Sequence, residues 1–87
     1  MEVSLEEAKR YLRVDYDDED DLIESFIDTG ERLSLDTLRK DSSSSPAFKI
    51  AILFAVAYLF EHREDADMNE LTKMLRYILM SDREIIF

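Results

Sequence analysis

Hydrophobic residues recur along this chain with the three- and four-residue spacing of helices, and in one block they fill nearly every position. Leu5, Ala8 and Leu12 share a face, which predicts a first helix from Leu5 to Arg13. Ser4 stands three residues before Glu7, the spacing of a capping box, with Val3 and Ala8 placed as its hydrophobic staple. A second stripe of Leu22, Ile23, Phe26, Ile27, Gly30 and Leu33 predicts a helix from Glu19 to about Leu38. Asp18 with Asp21 can cap it, and the acids at its start suit the helix dipole. Gly30 costs about 1 kcal/mol in a helix relative to Ala, which points to a close helix crossing. Asp67 and Glu70 repeat the capping pattern before a last helix, whose buried face is Leu71, Met74, Leu75, Ile78 and Leu79.

Between these lies the filled block, Pro46 to Phe60, where Lys49 is the only charge. A helix apolar on every side has no face to offer water, so it belongs at the centre. It is too short for a bilayer, which needs about 18 to 25 apolar residues, and it ends in Glu61-His62-Arg63-Glu64-Asp65. Ser45 and Pro46 make a favourable helix start. Ala47, Ala51 and Ala55 recur every four residues, a small-residue stripe open to close approach. The fold class that follows is all-α: a small bundle of four to five helices around a buried central apolar helix at about 46–62. One helical domain is expected over 1–87, with a flexible Ser-rich loop at 41–45 and a C-terminal tail at 81–87. In a domain of this size hydrophobic gain and ordering cost nearly cancel, so it would gain from copies of itself or from a partner. Three other helices are also few with which to cover the central one on all sides.

Composition narrows the chemistry. The chain has 11 basic and 21 acidic residues, a net charge of −10. That disfavours gripping phosphate backbones, and suits either a passage that repels DNA or attachment to a basic protein surface. There is no cysteine and one histidine, His62, so neither a thiolate site nor a multi-histidine metal centre can form. The start Met1-Glu2-Val3-Ser4 lacks the basic and apolar regions of a signal peptide, which predicts synthesis in a cytosol.

The acidic run Asp15 to Asp21 fails as an EF-hand. Counted from Asp15 or Asp17, the required Gly falls on Asp20 or Leu22 and the bidentate Glu on Phe26 or Asp28. Glu61, Glu64 and Asp65 find no matching acidic pattern on a facing helix, as a metal-dependent nucleotide hydrolase would need. His62 has no nucleophile at a recognisable spacing. Phe48, Phe54, Tyr58 and Phe60 point around the central helix as core filling. No cofactor, metal or catalytic set is expected. Lys9, Arg10 and Arg13 form a small basic patch, either a solvated face or a contact for an acidic neighbour.

Three segments together resemble a known family. They are Leu5-Glu6-Glu7-Ala8-Lys9-Arg10-Tyr11-Leu12-Arg13-Val14-Asp15 with the acids and Leu22-Ile23 that follow, Phe48-Lys49-Ile50-Ala51-Ile52-Leu53 through Ala57-Tyr58-Leu59-Phe60-Glu61-His62-Arg63-Glu64, and Leu75-Arg76-Tyr77-Ile78-Leu79-Met80 ending near Arg83. In this order they resemble the small head–tail connector (adaptor) proteins of long-tailed bacteriophages and prophages. The resemblance implies a virion structural protein at the head–tail junction, made in the bacterial host cytoplasm. It implies a homo-oligomeric ring beneath the portal protein that extends the DNA channel and binds the next connector or stopper protein. DNA would pass without specific binding; no catalysis and no membrane are implied.

Candidate subunit contacts are Lys9, Arg10 and Arg13 against Asp17, Asp18, Asp20 or Asp21 of the next copy, with Ile85, Ile86 and Phe87 on a neighbour. The chain departs from the family pattern at Arg32–Lys40, where an aromatic and a Gly-Arg are usual, and at Ser81-Asp82, where a proline is usual. The alternative of another class is a small acidic regulatory module that binds a basic host protein.

Overall fold

The computed structural model describes residues 3–38 and 46–83. They form four helices: α1 (Leu5–Leu12), α2 (Asp20–Leu38), α3 (Pro46–Glu61) and α4 (Met68–Arg83). No strand occurs among the described residues.

Local chemistry explains the bounds of α1. Ser4 Oγ accepts from the Glu7 N–H at 3.1 Å, and the Ser4 N–H donates back to Glu7 Oε1 at 3.3 Å. Val3 and Ala8 on either side are fully buried, completing the staple. The helix ends at Leu12, one residue before the expected bound at Arg13. Arg13 turns left-handed (φ 63°), its N–H donates to the Arg10 carbonyl at 3.2 Å, and the Val14 N–H donates to the Lys9 carbonyl at 2.9 Å. That is the Schellman arrangement, with Val14 as its buried apolar partner.

In α2 the first helical bond runs from the Ile23 N–H to the Glu19 carbonyl at 2.9 Å, and Asp20 and Asp21 occupy the first turn. Ile23, Ile27, Gly30, Ser34 and Leu38 are its buried line. Glu19 pairs with Arg63 while Gly30 meets Ala55, so α2 and α3 run antiparallel. A Cβ built on Gly30 would stand 3.0 Å from Ala55 Cβ and 3.3 Å from the Ile52 carbonyl oxygen. The close crossing expected from Gly30, and the alanine stripe expected to receive a neighbour, are two sides of one contact.

Helix α3 packs against each of the other three, and α2 and α4 also pack on one another. One core joins Val3, Ala8 and Val14 with Ile23 and Ile27, the α3 residues Phe48, Ile52 and Val56, and Leu71, Leu75 and Leu79 of α4. At the α3–α4 turn the Tyr58 hydroxyl accepts from the Asp67 N–H at 3.0 Å and donates to its carbonyl at 3.4 Å. Asp67 Oδ1 in turn accepts from the Asn69 and Glu70 N–H groups at 3.0 and 3.2 Å, capping α4. Helix α4 continues through Ser81-Asp82 to Arg83, where the sequence reading begins the tail. The Ser-rich stretch 41–45 and Ile85-Ile86-Phe87 lie outside the described residues.

Candidate assembly surface

Although α3 is apolar at almost every position, its burial is periodic. Phe48, Ala51, Ile52, Ala55, Val56 and Leu59 are buried and share one side. On the opposite side Ile50 is 56% exposed, and Leu53, Phe54, Ala57 and Phe60 are only half-buried. These five positions fall at helical spacing and form a continuous apolar stripe. The other described helices of the same chain cover it only in part.

Ion pairs frame the stripe at both ends. Lys49 Nζ lies 2.6 Å from Glu7 Oε2 and ties the start of α3 to α1. Arg63 pairs with Glu19, and its guanidinium sits 4.9 Å above the Phe60 ring, a cation–π contact. The Lys49 ammonium first, then the Ser4 N–H, holds the Glu7 carboxyl below its ordinary value of 4.5. Glu19 keeps the Arg63 guanidinium more firmly protonated than usual. Both pairs are partly exposed and screened by solvent; one joins α3 to α1, the other joins the segment after α3 to the start of α2.

The sequence-chosen contact residues divide into two groups. Lys9 Nζ lies 2.7 Å from Asp17 Oδ1 and 2.8 Å from Asp20 Oδ1, and only 15% of its side chain is exposed. Asp17 first, then Asp20, raises the Lys9 pKa, and Lys9 lowers that of Asp17. These three charges therefore satisfy one another inside one chain, where they pin α1 to the start of α2. Arg10, Arg13, Asp18 and Asp21 face outward, and none joins an ion pair among the described residues. Arg10 and Arg13 border a shallow open hollow with Glu6, Lys9, Val14 and Asp15. Ile85, Ile86 and Phe87 lie outside the described residues.

Two features escaped the sequence reading. One is which side of α3 stays open: the shortage of helices to cover it was expected, but a uniform apolar pattern cannot say where the gap falls. The other is the outward face of α4, where Tyr77 is 78% and Met80 53% exposed beside the exposed Lys73 and Arg76. Its signal was the complement of the Leu71, Leu75 and Leu79 stripe. Among the described residues no group of three or more His, Cys, Asp or Glu is placed to hold a metal ion, and no helix is long and apolar enough to cross a membrane.

The described residues form a small all-helical body with partly uncovered apolar and charged faces, the features of a protein that works by contact with other proteins. The comparisons with known proteins agree: the chain belongs to the family of phage gp6-like head-tail connector proteins, which matches it over residues 2–86. Membership makes it a structural connector of the phage virion that interacts with other virion proteins, such as portal or tail components. No curated protein and no solved structure matches the chain.

Proposed function

We propose that the chain assembles into an oligomeric ring beneath the portal protein, lengthens the channel through which DNA leaves the head, and seats the next connector or stopper protein. Its work is mechanical and electrostatic; no catalysis is assigned. The observation that carries this reading is the apolar stripe Ile50, Leu53, Phe54, Ala57 and Phe60, left half-open by its own chain. Contiguous apolar surface of this kind is covered by protein in a working assembly, and sister copies are the cover the reading assigns. The internal triad of Lys9, Asp17 and Asp20 leaves Arg10 and Arg13 to meet Asp18 of the next copy, with Ile85, Ile86 and Phe87 against a neighbour. A net charge of −10 suits a conduit through which DNA must slide.

Deleting the gene from an otherwise intact phage tests the reading. Electron microscopy should show heads without tails, restored when the chain is supplied in trans. Normal tailed virions in the deletion would refute it. Recovery of a basic host protein on the purified chain, lost in high salt, would favour the regulatory module instead.

A further inference from the structure

We propose that the outward face of α4 on one copy docks on the outward face of α2 on the next, as a head-to-tail contact. This names one further contact between neighbouring copies of the ring and rests on the reading above. On α4, Lys73, Arg76, Tyr77 and Met80 fall at i, i+3, i+4 and i+7, all exposed. Arg76 beside Tyr77, the most exposed aromatic among the described residues, and Met80 make the residue mix that anchors interface centres, and Lys73 adds to the charge of the face. Glu70, one turn earlier, is the acid on this face.

On α2, Asp21, Glu24 and Asp28 fall at i, i+3 and i+7 and are likewise exposed, with Ser25 between them. Arg32 ends the acidic run. No ion pair holds Lys73, Arg76, Asp21, Glu24 or Asp28 among the described residues. Like charges three and four residues apart on a helix repel one another, and a basic helix laid along them removes that cost. The two faces match in sign and in helical spacing.

The position of the helices permits both contacts at once. Because α2 and α4 pack on one another and on α3, their outward faces point away from a shared core in different directions. One copy can therefore present both. A contact between two different patches is heterologous, and such contacts close into rings when the rotation permits. Contact through exposed charge is also screened by salt.

Charge exchange tests the proposal on the full-length chain, alone and with portal protein, by sedimentation velocity and native mass spectrometry. Lys73→Glu with Arg76→Glu makes both faces acidic; Glu24→Lys with Asp28→Lys makes both basic. Each variant should keep wild-type helicity and lose self-association at least tenfold. An equal mixture of the two should recover it, because each face then meets its opposite. Tyr77→Ser should weaken association without any change of charge. If the wild type assembles and both charge variants assemble equally well, this contact is overturned while the ring reading stands. If the wild type stays monomeric even with portal protein, both fall. If the Lys73/Arg76 variant loses binding to duplex DNA and keeps self-association, the α4 face serves DNA and the proposal is wrong.

Discussion

Gly30 and Ala55 show how much one missing methyl group can hold. The two nearest atoms that a Cβ at position 30 would approach, Ala55 Cβ and the Ile52 carbonyl oxygen, are fixed to the α3 backbone. Neither can swing aside, so any addition must part the helices. Gly30→Ala gains about 1 kcal/mol of helix propensity but meets an overpacking cost of about 1–3 kcal/mol. Ala55→Leu has the cost without the gain and should destabilise by about 1–3 kcal/mol in denaturant unfolding. A neutral result at position 55 would mean the helices do not cross there.

Ser34, one turn beyond Gly30, is fully buried and its hydroxyl has no hydrogen-bond partner. A buried unpaired hydroxyl costs about 1–3 kcal/mol. Ser34→Ala should therefore raise stability, by about 1 kcal/mol; a loss of stability would show that the hydroxyl is paired.

At the scale of elements, the ends of helices were legible because their causes are local. Ser4 and Glu7 act across three residues, and Asp67 caps the helix that begins at the next residue. The crossing at Gly30 was legible too, since a glycine inside a helix calls for a packing reason. The end of α1 was not: Arg13 continues the helical pattern in sequence yet takes the left-handed cap usually given to glycine. Nor were the pairs Lys9–Asp17, Lys49–Glu7 and Arg63–Glu19, since their partners meet across turns or between helices at no helical spacing.

One pair predicts a pH dependence. The folded pKa of Glu7 lies below its unfolded value, so the contribution of its contacts is present above about pH 4.5 and is lost as pH falls through the lowered value. Glu7→Gln should melt at a lower temperature than the wild type near neutral pH, and the gap should shrink as the solution is acidified below pH 4.5. A gap that persists in acid would assign the effect to packing instead of charge.

For the whole molecule, a residue pattern that is apolar in every direction concealed the side of α3 its own chain would cover. Hydrophobicity specifies that a helix be enclosed; the number and length of the other helices decide how far one chain can do it. Here three helices enclose the side of Ala51, Ala55 and Leu59 and leave Ile50 outside. Because Ile50 is already largely in water, Ile50→Glu should change monomer stability by no more than about 0.5 kcal/mol while abolishing assembly. Equal assembly by this variant would remove α3 from the interface.

The central claim is that this body is completed by other copies of itself. The most direct measurement is the mass of the full-length chain in solution over a range of concentrations, with and without portal protein, read by native mass spectrometry beside electron microscopy of the same samples. The account predicts a closed multimer of one size that appears as ring-shaped particles. A monomer at every concentration, unchanged when portal protein is added, would contradict it.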